Sequence, residues 1–559
     1  METNALYFGD NLKVLSERLP DGSYRFPTGS VDLVYLDPPF NSQRDYSLIF
    51  KETSGDRAEA QIKAFEDTWH WGEAARDAFH DVTVTGVNEG RIPDGVGRML
   101  EALVRGIGHN DMSAYLVMMT PRLVQLHRVL KHTGTLYLHC DPTASHYLKV
   151  VLDSVFGPEL FLNEVTWKRS TSHGNVGRNF GSLTDTILVY TKGPSYVWNQ
   201  QYATFSEDYV AAKFTNKAAD GRRWQSVTLR NPAPRPNLRY AYTASNGITY
   251  QPHPNGWIWT EERLAKADRD GRLHFPAKAG GQLRLKMYLD ESAGVRLQNL
   301  WDDIPAVNSQ ARERLGWDTQ KPLALLERII TTSSNPDDVV LDPFCGCGTA
   351  LIAAQKLGRR WMGIDITHLS IAVMRARLMD SFGLKDVPVF GLPADLESAR
   401  MLAAESKDGR YEFQWWALGL IDAKPVGGVM KKGADRGIDG VITFSERDSI
   451  QRILVSVKSG HPSLVHVKEL LGTLQTEGGA IGILIELDEP TSEMNRAALE
   501  SGKYDSELWG GSYDRIQIMT ISDLLAGKKP NVPKFLPGYQ KAERIQPAVD
   551  QQELFAKGG

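Results

Sequence analysis

Residues 338 to 366 read DVVLDPFCGCGTALIAAQKLGRRWMGIDI and decide the fold class of this 559-residue chain. An apolar run enters a loop that contains Gly346 and Gly348, an alanine-rich segment follows, and a second apolar run ends at Asp365. This order predicts a strand, a glycine loop, a helix and a second strand. Small loop residues let a ligand approach the backbone, and a strand-terminal acid about twenty residues further on is the usual binding site for ribose hydroxyls. We therefore expect this unit to bind a ribose-containing ligand.

Two other nucleotide motifs are absent from the sequence. Gly348 is followed by Thr-Ala-Leu, so the loop is not the GxGxxG of dinucleotide-binding proteins. No GK[ST] occurs anywhere in the chain, so we expect no P-loop and no intrinsic ATPase.

The same alternation of strands and helices occurs earlier in the chain. Residues 1–50 read as strand, helix and strand, and residues 114–156 read as helix, strand and helix. Such alternation predicts an α/β fold with a doubly wound, parallel sheet. Residues 52–113 are polar and mostly helical in pattern, and we interpret them as an insertion.

Residues 165–300 differ in composition from the rest of the chain. They contain 19 Lys and Arg against 10 Asp and Glu, with 17 aromatic residues, whereas the whole chain has a net charge of −4. Basic residues interleaved with aromatic ones are typical of proteins that bind a polyanion with exposed bases. A solvated basic face on a structural domain is the alternative.

Length and composition limit the class of protein. At 559 residues the chain should form two to four domains, and its 42% hydrophobic content is ordinary for a globular protein. Its start does not resemble a signal peptide, and no apolar run reaches membrane-spanning length. Three cysteines suit a reducing cytoplasm, and the pair Cys345 and Cys347 has no second pair or histidine cluster with which to bind zinc.

Residues 31–40, VDLVYLDPPF, place an acid and an aromatic ring around two prolines at the end of a strand. Pro38 and Pro39 have no N–H group and cannot continue a central strand. They predict a rigid, extended turn that holds Asp37 and Phe40 on its two sides.

Together the motifs resemble those of DNA amino-methyltransferases that use S-adenosylmethionine. LDPPF comes first, the basic insertion next and the glycine loop last, which is the order of the β class. GDNL at 9–12, NEVTWKR at 163–169, DTILVYTK at 185–192 and TQKP at 319–322 also match that class. The resemblance covers residues 1–385.

The resemblance implies specific site residues. The catalytic ones are Asp37, Pro38, Pro39 and Phe40. The cofactor-binding ones are Asp10, Asn11, Lys321, Asp342, Phe344, Gly346, Gly348, Thr349 and Asp365. Within this set, Phe344 and the two glycines would border the methionine part of the cofactor, Asp365 its ribose, Asp10 and Asn11 its adenine, and Lys321 would lie near its carboxylate.

The DPPF element suits methyl transfer to an exocyclic amine. The carboxylate of Asp37 and the carbonyl of Pro38 can each accept one N–H of the amine, and Phe40 offers a stacking face for a flipped base. Cytosine-C5 chemistry needs a Pro-Cys dipeptide, which the chain lacks. Cytosine-N4 enzymes of the class more often carry Ser in place of Asp37, so adenine N6 in duplex DNA is favoured and cytosine N4 stays open.

Near residue 405 a further unit begins. GADRGIDGVITF and ILVSVKSG resemble the PD-(D/E)xK nucleases of Mrr type, in which an acid and a lysine on neighbouring strands hold a divalent metal and a water. Asp439 and Lys458 fit these roles with Mg²⁺ or Mn²⁺, and Glu412 is a further candidate. Ser456 stands where a carboxylate or Gln is expected, and a hydroxyl is a poorer ligand for a hard cation. An active nuclease and an inactive module that binds DNA or a partner both remain open.

The tail carries a short peptide, Gln551-Gln-Glu-Leu554-Phe555, that resembles the QxxLF peptides which dock on bacterial sliding clamps. A homodimer or a separate restriction subunit is the other partner that we consider, and we expect no membrane. The expected domains are a methyltransferase domain at 1–164 and 301–395, a target-recognition region at 165–300, a nuclease-like domain at 405–530 and a flexible tail at 531–559.

Overall fold

The computed structural model describes residues 1–39, 46–51, 57–65, 70–170, 180–278, 280–308, 311–315, 317, 319–404, 406–425, 437–447, 449–533 and 544–545. Of these, the side chains of 46–51, 57–65, 369, 406–412 and 424–425 are not described. Backbone contacts divide the described residues into two units, one from 1 to 199 with 299 to 545, and the other from 200 to 298.

The elements before residue 200 belong to the first unit. They are β1 (Ala5–Phe8), α1 (Asn11–Ser16), β2 (Val31–Leu36), β3 (Tyr46–Lys51), β4 (Arg57–Phe65), α2 (Glu73–His80), α3 (Gly86–Asn88), α4 (Asp94–Ile107), α5 (Asp111–Val129), β5 (Leu130–Cys140), α6 (Pro142–Phe156), β6 (Phe161–Lys168) and β7 (Thr184–Thr191). A π-helical turn at Asp81–Thr85 joins α2 to α3. Residues 73–107 are thus largely helical, whereas β4, within the range 52–113 that was expected to be mostly helical, pairs antiparallel with β3.

The second unit has its own small sheet and core. Its elements are β8 (Tyr202–Ala203), α7 (Glu207–Lys213), β9 (Asn216–Lys217), β10 (Arg223–Thr228), β11 (Tyr242–Thr243), β12 (Thr249–Tyr250), α8 (Glu261–Arg269), β13 (Leu273–His274), β14 (Arg284–Tyr288) and β15 (Val295–Arg296). A sheet in the order β13-β14-β10-β9 lies beside a core that includes Trp257 and Leu264. This unit begins at residue 200, so the first part of the predicted recognition region, from 165 to 191, contributes β6 and β7 to the first unit instead.

The first unit continues with the glycine loop and its neighbours. The elements are β16 (Leu300–Trp301), α9 (Leu323–Ser333), β17 (Val339–Asp342), α10 (Thr349–Lys356), β18 (Arg360–Asp365), α11 (His368–Phe382) and β19 (Val389–Phe390). One nine-stranded sheet runs in the order β16-β6-β7-β5-β2-β17-β18-β1-β19. The pairs from β5 through β19 are parallel, but β7 is antiparallel to both β5 and β6, so the sheet is mixed rather than wholly parallel.

Helices cover both faces of this sheet. One core contains side chains of α4, α5 and α6 with Val34 and Leu36 of β2. The other contains side chains of α9, α10 and α11 with Leu33 and Tyr35. Because successive residues of a strand face opposite sides, β2 contributes to both cores. The α/β, doubly wound class predicted from the sequence is confirmed.

The C-terminal elements form a five-stranded sheet of their own. They are α12 (Leu396–Ala404), α13 (Ser406–Gly419), β20 (Lys424–Pro425), β21 (Gly440–Glu446), β22 (Ser449–Lys458), α14 (Leu464–Glu477), β23 (Ile481–Glu486), α15 (Ser492–Glu500), β24 (Lys503–Ser506), β25 (Gly511–Asp514), β26 (Ile516–Thr520) and α16 (Ile521–Leu525). The strand order is β20-β21-β22-β23-β26, with α13 and α14 supplying apolar side chains to its two cores. Of the tail, Arg544 and Ile545 are described, and the N–H of Ile545 donates to the carbonyl of Ser381 (3.0 Å).

No helix within the described ranges is long and apolar enough to cross a bilayer.

Candidate active site

The DPPF element lies at the carboxyl end of β2, in the middle of the large sheet. Leu33 and Tyr35 belong to the core on the α9 side. Asp37 follows Tyr35 by two residues and lines the same pocket as Tyr35, Pro38 and Pro39. Phe40 lies outside the described residues.

The glycine loop lies at the carboxyl end of β17, the strand next to β2. Gly346 and Gly348 have φ angles of +52° and +76°, which side chains of L-residues rarely adopt. A Cβ atom on Gly348 would lie 2.7 Å from Cγ of Met374, so this glycine also permits close packing of α10 against α11. Gly348 itself is absent from the pocket lining, unlike Gly346 and Phe344.

Two carboxylates hold this loop in place. Oδ1 of Asp342 accepts the N–H of Phe344 (3.0 Å), and Oδ2 of Asp365 accepts the N–H of Gly346 (2.8 Å). Oδ1 of Asp365 also accepts the N–H of Thr367 (2.9 Å). Asp365 therefore lies where the sequence placed it, at the end of β18, and it also orients the loop.

A third carboxylate and an amide come from the start of α1. Asp10 is the N-cap of this helix, and its Oδ1 accepts the N–H of Leu12 (2.8 Å). Asn11 donates to the carbonyl of Pro343 (2.8 Å), which ties α1 to the glycine loop. Arg122 of α5 donates to Asn11 Oδ1 (2.6 Å) and forms an ion pair with Asp10.

Lys321 lines the same pocket as Asp37, the candidate catalytic acid. Its ammonium forms an ion pair with the carboxylate of Asp37. Both side chains are largely buried, with 12% and 17% of their surface exposed. The TQKP motif and the DPPF motif thus meet at this pair.

These residues line one pocket across the carboxyl ends of β1, β2, β17 and β18. Its lining includes every described candidate of the methyltransferase motifs except Gly348: Asp10, Asn11, Asp37, Pro38, Pro39, Lys321, Asp342, Phe344, Gly346, Thr349 and Asp365. Such a crevice at the carboxyl ends of parallel strands is the usual ligand site of an open α/β sheet.

The pocket contains more carboxylates than cations. Asp10, Asp37, Asp342 and Asp365 contribute four acids, against Lys321 and Arg122 as bases. Burial, followed by the charges of Asp37 and Asp365, raises the pKa of Asp342 well above its usual range. A ligand with cationic groups would relieve this repulsion, so the pocket suits a ligand that carries positive charge.

Residues 31–373 match the family model described as DNA methylase. This range is more than half of the chain, and it contains every lining residue of the pocket except Gly9, Asp10 and Asn11. The chain belongs to the DNA methylase family.

Several relatives share this domain. Type II methyltransferase M.EcaI of Enterobacter cloacae is 33% identical over 254 residues, covering 45% of this chain and 55% of that protein. The Mod subunit of the type III restriction-modification enzyme StyLTI of Salmonella typhimurium is 28% identical, over 63% and 50% of the two chains. DNA adenine methyltransferase YhdJ of Escherichia coli K12 is 46% identical, over 46% and 64%. This DNA methylase chain thus spans about half the length of the first relatives that it matches.

The second sequence candidate lies in the C-terminal sheet. Oδ2 of Asp439 accepts the backbone N–H of Val457 (2.6 Å) and the hydroxyl of Ser456 (3.3 Å), and its Oδ1 accepts the side-chain amide of Gln414 (3.2 Å). Three donors therefore occupy the carboxylate that was predicted to hold a metal. Among the described residues no cluster of three or more His, Cys, Asp or Glu side chains could hold a metal ion.

Residues 426–525 match a second family model, described as NACHT-associated inactive Restriction Endonuclease 1. The resemblance to a restriction endonuclease is thus supported, whereas the predicted Mg²⁺ or Mn²⁺ site at Asp439 is not. The physical reason is Ser456, which donates a hydrogen bond to Asp439 where a second acid would have shared a cation with it. The side chain of Glu412 and the peptide at Gln551, Leu554 and Phe555 lie outside the described residues.

Sequence reasoning missed Arg122 and Glu486. Arg122 sits among apolar residues in YLVMMTPRLVQL, and a lone arginine in such a helix is a signal that it binds a buried acid. Glu486 is the last residue of β23 and pairs with Lys458 on β22. It is fully buried, and its Oε1 lies 2.8 Å from Nδ1 of His466. A carboxylate at the end of the apolar run GILIE would have indicated a buried polar contact.

Proposed function

We propose that this DNA methylase transfers the methyl group of S-adenosylmethionine to N6 of adenine in duplex DNA. The observation that carries the proposal is the meeting of Asp37 with the glycine loop in one acid-rich pocket. A methyl donor and an amine acceptor must lie within reach of each other for in-line transfer, and this arrangement provides that proximity.

The residues present fit the cofactor. When bound, S-adenosylmethionine supplies a methyl group activated by a sulfonium, and its amino group and sulfonium are both cationic. Asp342 and Asp365 would offset those charges, and Asp365 would also be available to ribose hydroxyls. Phe344 and Gly346 would border the methionine part, and Asp10 and Asn11 the adenine part.

Asp37 would act on the amine rather than on the cofactor. Its carboxylate and the Pro38 carbonyl would each accept an N–H of N6, which draws the nitrogen lone pair away from the ring and towards the methyl group. Lys321 would hold the Asp37 carboxylate in one orientation through their ion pair. The aromatic ring of Phe40 would stack on the flipped base.

Adenine is favoured over cytosine N4 by the acid at position 37. The adenine methyltransferase YhdJ, 46% identical over the shared domain, supports the same choice. Cytosine N4 is the second candidate, because methyl transfer to either exocyclic amine, adenine N6 or cytosine N4, follows the same chemistry.

The remaining segments would serve recognition and assembly. The basic, aromatic unit at 200–298 would read the target site through phosphate and base-edge contacts. The C-terminal five-stranded sheet and its helices would bind DNA or a partner without cutting DNA. The carboxylate of Asp439 already accepts hydrogen bonds from Val457 and Gln414 and so would not bind a metal ion. The relative named as a Mod subunit supports a modification role in a restriction-modification system, in which a separate subunit would cut.

The experiment is transfer of labelled methyl groups from S-adenosylmethionine to unmethylated duplex DNA in EDTA. We expect label in the DNA with the natural protein and almost none with Asp37→Asn, which keeps the shape of the side chain. Equal transfer by both proteins would contradict the assigned role of Asp37.

A further inference from the structure

Three buried polar side chains form a hydrogen-bonded chain beside the pocket. Tyr35 lies on β2, His139 on β5 and Asp185 on β7, three neighbouring strands. Oη of Tyr35 is 3.1 Å from Nδ1 of His139, and Nε2 of His139 is 3.1 Å from Oδ2 of Asp185. The three residues are at most 2% exposed, so water does not compete for these contacts.

The charges around these three side chains decide which group donates each hydrogen bond. Burial alone would raise the pKa of Asp185, but its hydrogen bond to His139 and the charges of His139, Lys321 and Arg169 bring that pKa below the usual value. The ionised carboxylate therefore accepts the Nε2–H of His139, which leaves Nδ1 with its lone pair. Nδ1 in turn accepts the hydroxyl proton of Tyr35.

Tyr35 connects this chain to the reaction site. It lines the pocket together with Asp37, and burial and the nearby charge of Asp37 raise its pKa well above the usual range, so the hydroxyl stays protonated. Asp37 is already held in an ion pair with Lys321, so its carboxylate has a partner other than the amine. His139 lies one hydrogen bond behind Tyr35 and offers a second acceptor.

We infer that Tyr35 and His139 remove the proton that methyl transfer releases from the amine. The inference rests on the proposed function and adds a base to it. As N6 bonds to the methyl carbon, the carbon–sulfur bond breaks and its electron pair stays on sulfur. The N6 proton that faced the carbonyl of Pro38, which cannot take it up, then passes to Oη of Tyr35 while the Tyr35 proton moves to Nδ1 of His139. The imidazolium is balanced by Asp185, and the proton returns to water when the product leaves.

Several ionisable groups surround this relay and would shape its pH dependence. They are Asp37 and Asp342 on the pocket side, Asp185 on β7, Arg169 after β6, and Lys321. Trp167 packs edge-on against His139, with ring centroids 5.7 Å apart, and keeps the ring in one orientation.

The chain offers a matched control for Tyr35. Tyr137 is its register partner on β5, is equally buried, and donates to or accepts from Ser333 (2.7 Å). Tyr137 does not line the pocket. Tyr35→Phe and Tyr137→Phe therefore each remove one buried tyrosine hydroxyl, on adjacent strands. The hydroxyl of Tyr35 belongs to the relay, and that of Tyr137 does not.

The test is single-turnover methylation across a pH series, in H₂O and D₂O, with cofactor affinity measured in parallel. General acid–base contributions are typically about 100-fold or more, so we expect Tyr35→Phe to slow transfer by about that factor. The fall in rate at acid pH and the solvent isotope effect should both be lost, with cofactor affinity unchanged. Tyr137→Phe should match the natural protein.

A second variant keeps the inference falsifiable. His139→Gln retains hydrogen-bonding groups but cannot take up a proton, and it should behave as Tyr35→Phe does. Natural rates and pH profiles in Tyr35→Phe would overturn the relay while leaving adenine methylation established. A natural protein that transfers no methyl group would overturn the proposed function, and the relay with it.

Discussion

Lys321 and Asp37 form an ion pair although they are 284 positions apart in the chain. Lys321 precedes α9, whereas Asp37 directly follows β2, and the pair joins the N-terminal and C-terminal parts of the methylase domain at the pocket. The lysine was expected beside the cofactor carboxylate, and the motif alone does not show its contact with Asp37, the proposed catalytic acid.

The ion pair predicts the effect of Lys321→Met, which keeps the length of the side chain but removes its charge. Asp37 would lose the cation that orients it, so single-turnover methylation should fall by about 10-fold or more, equivalent to about 1.4 kcal/mol of activation free energy. Rapid-quench assays would measure the rate. Cofactor affinity, measured by calorimetry, should fall as well if Lys321 also contacts the cofactor carboxylate. An unchanged rate would show that the pair has no part in transfer.

The raised pKa of Asp342 predicts proton release on cofactor binding. Burial favours the protonated acid in the free protein, whereas a cationic ligand favours the ionised one, so binding must lower this pKa. Affinity should therefore rise with pH through the titration of Asp342 and level off above it. Calorimetry in buffers of different ionisation enthalpy would count the protons released. Asp342→Asn should bind more weakly and release fewer protons, and equal release by both proteins would refute the assignment.

The glycine loop predicts different outcomes for its two glycines. Gly348→Ala would place Cβ 2.7 Å from Met374 Cγ at a φ of +76°, and overpacking of this kind costs about 1–3 kcal/mol of unfolding free energy. Gly346→Ala meets its nearest atom, Nε1 of Trp317, at 3.5 Å, so it adds no clash and instead narrows the pocket. Chemical denaturation should show the larger loss for Gly348→Ala, and cofactor titration the larger loss for Gly346→Ala. The reverse order would contradict this account of the loop.

The features of this fold that could be predicted from the sequence are those that depend on residues close together in the chain. The strands β2, β17 and β18 and the loop between the last two follow from local periodicity and from glycine chemistry, and the structure has them where they were predicted. The direction of β7 did not follow, because the alternation in DTILVY is the same in parallel and antiparallel strands. The pairing of His139 with Asp185 and of Lys321 with Asp37 also escaped prediction, since sequence spacing carries no information on such long-range contacts.

From the contacts of Asp439 we predict that divalent cations do not stabilise the C-terminal sheet. With Asp439 bonded to Val457, Ser456 and Gln414, added Mg²⁺ or Mn²⁺ should shift the unfolding temperature no more than an equal ionic strength of Na⁺. Differential scanning calorimetry would measure the shift, and Lys458→Ala should leave methyl transfer unchanged. Metal-dependent cleavage of unmethylated DNA that is lost on Lys458→Ala would contradict this prediction.

The most direct test identifies the modified base. Unmethylated duplex DNA would be incubated with the natural protein and S-adenosylmethionine, digested to nucleosides and analysed by mass spectrometry. N6-methyladenine as the product, absent with Asp37→Asn, is the result that we predict. N4-methylcytosine would contradict the assignment of adenine from Asp37, and no methylated base on any duplex DNA would contradict the proposed function itself.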